Sequence, residues 1–150
     1  MSWLRGAGIN VELPPGWDGG IADRAVLDDG AIRRSVTHLA SFPLPEHRGD
    51  YGGGAVGLMG WTDILIVLLE FEPNSTAQPL FSLDGMPREL RQSDFGRDTL
   101  QRRIEGHGGC QVFFHEAGRA FCLYVVLGSY VDREDLIPKV NEVLRRIQIT

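Results

Sequence analysis

The residues best suited by type and spacing to do chemistry are His107-Gly108-Gly109-Cys110. A thiol beside backbone N–H groups that two glycines leave open, with a histidine three residues away, could build a thiolate nucleophile and an oxyanion hole. His115 is a second candidate base. It stands five residues from Cys110, so in a regular strand it projects from the opposite face. No Asp or Glu is fixed by spacing as an orienter for either histidine. A reactive thiol also needs a low pKa and some exposure, whereas Cys110 opens an apolar stretch that favours inert packing. A thiol-dependent enzyme using Cys110 with His107 or His115 is therefore an alternative reading, not the leading one.

Other constellations carry less. His38, His47, His107 and His115 show none of the usual metal-ligand spacings, nor do the two cysteines, so no metal is expected. Gly52-Gly53-Gly54 could offer N–H groups to a phosphate. The chain has no Gly-x-x-x-x-Gly-Lys-Ser/Thr and no Gly-x-Gly-x-x-Gly after a clear strand, so a flexible loop is expected there and no cofactor. Asp94-Phe95-Gly96 matches the kinase magnesium motif by chance, because the rest of that machinery is missing. Glu70 and Glu72 read as a solvated strand end. Arg88, Arg91, Arg97, Arg102 and Arg103 fall close together, but Asp94, Asp98 and Glu105 are interleaved with them. Mixed signs cancel the field a polyanion would feel, so a solvated surface segment is expected.

The elements that must hold these residues are dominated by one stretch, Cys110 to Ser129. Cys110–Glu116 and Phe121–Leu127 are rich in aromatic and β-branched residues and read as a β-hairpin. Phe121, Leu123, Val125 and Leu127 point one way, Cys122, Tyr124 and Val126 the other, and neither face is polar, so both are expected to be covered. A three-residue loop, Glu116-Ala117-Gly118, sets His115 opposite Arg119, Val112 opposite Cys122 and Cys110 opposite Tyr124. The cysteines are then diagonal neighbours about 7–8 Å apart, too far for a disulfide. A two-residue loop places them on opposite faces. Either way two free thiols are expected.

Along the chain, Ile9–Leu13 alternates as a short strand, and Pro14-Pro15-Gly16 ends it. A strand over Trp17–Val26, a turn at Leu27-Asp28-Asp29-Gly30 and a strand over Ser35–Phe42 follow, the last with Val36, His38, Ala40 and Phe42 on one face. Asp50 could cap a short helix over Tyr51–Met59. Asp63–Phe71 carries a continuous apolar run and reads as a central strand. Gln78–Leu83 reads as an edge strand and Arg97–Glu105 as a short helix. The chain closes with a helix capped by Asp132, with Leu136, Val140, Val143, Leu144 and Ile147 on its apolar face and Pro138 as its flaw. The sum is a single α+β domain over residues 1–150, an antiparallel sheet of about five or six strands with a C-terminal helix packed across it.

The totals set bounds. One hundred and fifty residues suffice for one domain with a real core. A net charge of −5 argues against nucleic acid. Fourteen Arg against one Lys, Lys139, is the skew of high-GC coding and points to a bacterial source. The longest apolar run, Ile64–Leu69, is far short of the roughly 20 residues a membrane span needs. Met1–Gly6 carries no readable targeting signal, so a cytoplasmic location is expected.

Ile9–Trp17, INVELPPGW, resembles the strand, Pro-Gly turn and Trp that open members of the PsbP-like superfamily, which includes extrinsic photosystem proteins, a Ran-binding nuclear-transport relative and actinobacterial lipoproteins. The strand Asp63–Phe71 and the hairpin with its terminal helix fit that layout. The resemblance implies an antiparallel sheet with helices packed on it and mostly non-catalytic binding work. It transfers no functional residue. Unlike the exported relatives, this chain shows no export signal. The leading expectation is a non-catalytic protein-binding or accessory module, its partner not given by the sequence. Trp3, Trp61, Tyr51 and Tyr130 are its candidate contact residues, although Trp61 reads slightly better as a core plug. A small-ligand carrier, with a pocket between the sheet and the terminal helix, is a further alternative.

Overall fold

A computed structural model describes residues 2–23 and 34–150. Ten elements follow one another: β1 (Ser2–Gly6), β2 (Ile9–Leu13), β3 (Asp18–Asp23), β4 (Ser35–Ala40), α1 (Gly53–Val56), β5 (Ile64–Glu70), β6 (Gly108–Glu116), β7 (Arg119–Leu127), α2 (Arg133–Leu144) and β8 (Ile147–Ile149). Five strands form an antiparallel sheet in the order β3-β4-β5-β7-β6, and three form a second one, β1-β2-β8. The class is α+β, with an eight-strand inventory among the described residues that exceeds the five or six expected. The far end of the Trp17–Val26 expectation and the Leu27–Gly30 turn lie outside the described residues.

The central strands β4, β5 and β7 are buried on both faces, which is why β5 and β7 read as near-continuous apolar runs. One face of β5 and β7 (Ile64, Ile66, Leu68, Phe121, Leu123, Val125, Leu127) packs under α2 and the three-stranded sheet. The other face (Leu65, Val67, Leu69, Cys122, Tyr124, Val126) packs under α1 and the loops around Leu44, Met59 and Leu100. The alternation expected for the hairpin is thus the observed one.

Its turn is not. Glu116 pairs with Arg119, leaving a two-residue loop, Ala117-Gly118. Both loop residues have positive φ, 54° and 73°, as the I′ turn that matches strand twist requires. The register moves accordingly: His115 faces Ala120, Phe113 faces Cys122 and Cys110 faces Val125. Cys110 and Cys122 fall on opposite faces of the sheet, both buried and both free.

Four further expectations are corrected. Gln78–Leu83 is not a strand; Pro79 cannot donate to a ladder, and Pro79–Phe81 turns as a 3-10 helix that buries Phe81 against Phe71 and Phe113. Arg97–Glu105 is not a helix, because its groups are engaged elsewhere: Gln101 N–H donates to the Tyr124 hydroxyl at 2.7 Å, and Arg102 donates to the Gly53 carbonyl at 2.7 Å. The Tyr51–Met59 helix shrinks to the single turn of α1, with Gly52 rather than Asp50 at its cap position. Finally, α2 stops at Leu144 and the chain ends as β8, so Ile147 joins the core from a strand.

The stretch 83–97 is a strap. It covers the outer edge of β6 through an isolated bridge from Asp84 to His115 and another from Gly96 to Gly109, shielding an edge that would otherwise template aggregation. Asn141 of α2 holds it, accepting from Leu90 N–H at 2.8 Å and donating to Leu90 C=O at 3.1 Å. Arg88 donates to the carbonyls of Leu144 and Ile147 and lies 3.6 Å from Glu116.

Candidate functional site

The catalytic candidate does not assemble. Cys110 is 2% exposed inside the core beneath α2. Burial, with Asp94 and Cys122 nearby, pushes its thiol up to about 12. A thiol held neutral in this way is the opposite of an activated nucleophile. His115 stands five residues further along β6, where one ring nitrogen bonds the Phe81 carbonyl at 2.6 Å and the other lies 3.5 Å from Asp84. His107 is buried, and burial lowers its pKa. Between the sheet and the terminal helix, where a ligand pocket was the alternative expectation, Leu136, Val140, Val143 and Leu144 join the buried core. Among the described residues no group of three or more His, Cys, Asp or Glu could hold a metal. No helix among them is long and apolar enough to cross a membrane.

One buried ionic group was missed by the sequence reading. Glu70, expected to be a solvated strand end, is 5% exposed. Arg119 grips both its carboxylate oxygens, through Nε at 2.9 Å and Nη2 at 2.7 Å. The same guanidinium donates to Ala7 C=O at 2.6 Å and Thr150 C=O at 2.9 Å, while Ser35 Oγ donates to Glu70 at 2.8 Å. This is a planar fork matched to a carboxylate, and it clamps β4, β5, β7, the β1–β2 turn and the C-terminal residue together at one end of the sheet. Glu70 is 49 positions from Arg119, so only the pairing of β5 with β7 could have revealed it.

The other end is built differently. The loops entering β5 and β6 and the loop leaving β7 meet there. Gly128 N–H donates to Asp63 C=O at 2.9 Å. A Cβ on Gly128 would stand 1.9 Å from the Gly60 carbonyl oxygen, so only glycine allows this close approach. Gly60 to Asp63 is a tight turn: Asp63 accepts from Gly60 N–H at 2.8 Å and its own N–H donates to Gly60 C=O at 3.1 Å. Ser41 links it to β4, donating to Asp63 at 3.0 Å and accepting from Ile64 N–H at 2.8 Å. The turn projects Trp61 into solvent, 80% exposed. Trp61 is no core plug; the glycine before it and the Asp two residues on were the turn signal that could have said so. Leu58, 62% exposed, stands three residues before Trp61 in the same α1–β5 connection, and Val131, 77% exposed, stands in the loop after β7.

The loop that precedes this turn is anchored by His38. Arg48 Nε donates to His38 Nδ1 at 3.0 Å, and His38 Nε2 bonds the Asp50 carbonyl at 2.8 Å. A guanidinium can only donate, so Nδ1 is the acceptor and Nε2 carries the proton. Burial first, and Arg48 second, lower the imidazole pKa to about 4. Arg48 also donates to Pro45 C=O at 2.8 Å.

The remaining contact candidates divide. Trp3 is 52% exposed on β1, with the Arg5 guanidinium 5.0 Å from its ring. Tyr51 is half-buried, edge-on to Tyr124 with centroids 5.4 Å apart. Tyr130 is half-buried beside Val131, with Arg97 and Arg133 against its ring.

Comparison with family models, curated proteins and solved structures finds no match to this chain.

Proposed function

We propose that this chain is a non-catalytic binding module whose contact surface for a protein partner is the open end of the five-stranded sheet, centred on Trp61. The observation that carries the reading is the exposure of Trp61 on a turn fixed by four hydrogen bonds to Gly60, Asp63 and Ser41. A single exposed apolar residue is ordinary, but a large aromatic on a tied turn, at the same end of the sheet as exposed Leu58 and Val131, is the composition of an interface anchor. Rigid presentation also lowers the ordering cost of binding. The resemblance of Ile9–Trp17 to the PsbP-like superfamily points the same way, since that superfamily does mostly binding work.

The test is comparative co-purification. The tagged chain and a Leu58→Ser, Trp61→Ser, Val131→Ser variant are recovered from the native cell at low stringency. A stoichiometric partner present with the first and absent with the second supports the reading. A partner retained by the variant, or none with either, refutes it.

A further inference from the structure

At the same end of the sheet as the Trp61 turn lies a cavity of about 440 Å³ lined by Arg97, Arg103, Ile104, Glu105, Gly106 and His107. Tyr130 stands next to it, its N–H donating to Gly106 C=O at 2.7 Å. Two guanidiniums converge on that tyrosine: Arg97 is 4.6 Å and Arg133 3.6 Å from the ring centre. Arg133 is turned in by its own bond to Tyr130 C=O at 2.9 Å. Among the described residues neither Arg97 nor Arg133 has a carboxylate partner within ion-pair distance. Arg103 is 3.2 Å from Asp98, both well exposed. Glu105 is the acidic member of the wall, and His107, its pKa lowered by burial, adds no charge near neutral pH. His107 Nδ1 is shielded from solvent with no hydrogen-bond partner.

Of the two cations on that ring Arg97 lines the cavity, and an oxyanion entering it would meet a guanidinium fork that no carboxylate of the described residues holds, with Arg133 adding to the positive field at the ring. We infer that this cavity receives a side-chain carboxylate of the partner, so that the recognised segment carries an Asp or Glu together with an apolar residue, the apolar residue lying on Trp61. This rests on the binding reading above and specifies its partner. A carboxylate fits better than a nucleic-acid backbone, because Asp98, Glu105 and a net charge of −5 oppose a chain of phosphates.

The test uses blocked hexapeptides, acetylated and amidated so that the only charge is the one varied. Each carries Glu or Asp beside Leu or Phe, or the isosteric Gln or Asn in its place. Binding to the full chain is read by fluorescence anisotropy. The acidic peptides should bind at least tenfold tighter than their neutral twins. Arg97→Gln, an exposed position whose substitution leaves the fold intact, should erase that preference, and Trp61→Ser should weaken both twins alike. Equal binding of the twins, or a preference that survives both Arg97→Gln and Arg133→Gln, overturns the carboxylate site while leaving the Trp61 surface standing. Failure of every peptide to bind overturns the acidic-segment proposal; the co-purification result then decides the binding reading by itself.

Discussion

The two ends of the five-stranded sheet solve opposite problems. At one end a single guanidinium closes the molecule. Arg119 makes four hydrogen bonds, to Glu70, Ala7 and Thr150, and so spends four of its five donors inside the molecule. At the other end the loops are as firmly tied, by Gly128 to Asp63 and by Ser41 to Asp63, yet Trp61, Leu58 and Val131 face water and Arg97 and Arg133 both stand against Tyr130. The difference teaches that ordering and satisfaction are separable. The clamped end is ordered because its groups satisfy one another; the open end is ordered while leaving apolar and cationic groups over, as a surface that awaits another molecule would.

The largest expected effect is at the clamp. Arg119→Ala leaves the buried Glu70 carboxylate without its counter-charge and should cost about 3–5 kcal/mol, read as a lower urea midpoint. A loss under 1 kcal/mol would mean the clamp is ornamental and the contrast false.

Next is acid. The folded-state pKa of His38 lies near 4, below its ordinary 6.5, so the unfolded chain binds the extra proton between those values. The His38 contribution is therefore full above pH 6.5 and is lost as pH falls toward 4, about 3 kcal/mol in all. Melting temperature followed over that window should fall steeply for the wild type. With His38→Gln the slope should flatten; an unchanged slope would remove His38 as the anchor of the 45–57 loop.

Gly128→Ala sharpens the comparison at the open end. Its Cβ must push the Gly60 carbonyl away, which should cost about 1–3 kcal/mol and separate the Trp61 turn from the Tyr130 loop. Partner binding should fall with it. Smallest in stability is Trp61→Ser, expected to stay within about 0.5 kcal/mol of wild type because the side chain touches little, while abolishing partner recovery. A large stability loss there would mean that Trp61 is structural after all.

What the sequence made legible follows the range of the forces involved. The faces of β7 and the central place of β5 were readable, because burial writes itself as local periodicity: Phe121, Leu123, Val125 and Leu127 against Cys122, Tyr124 and Val126. β8 was misread because Ile147 continues the helical spacing of Val140, Val143 and Leu144, and only pairing with β2 makes it a strand. β1 passed unnoticed because a five-residue strand with an intermediate or exposed burial pattern throughout has no alternation to detect. The strap at 83–97 is shaped by bonds such as Leu90 to Asn141, 51 positions away, and no local pattern encodes those. Of the arginines read as a solvated segment, those at 91, 97, 102 and 103 are indeed exposed, but Arg88 and Arg102 also donate to distant carbonyls, of Leu144 and Ile147 and of Gly53, which no local pattern encodes. The carboxylate Glu70 was misplaced for the same reason, its partner being distant in sequence and adjacent only across the sheet.

The most direct test of the central claim is site-specific photo-crosslinking in the native cell. A benzoylphenylalanine is placed at Trp61 and at Val131, and, as the opposite-end comparison, at Glu72. The account predicts one and the same cross-linked protein from positions 61 and 131 and none from position 72. Cross-links from position 72 alone, or none from any of the three, would contradict the assignment of the open end as the binding surface.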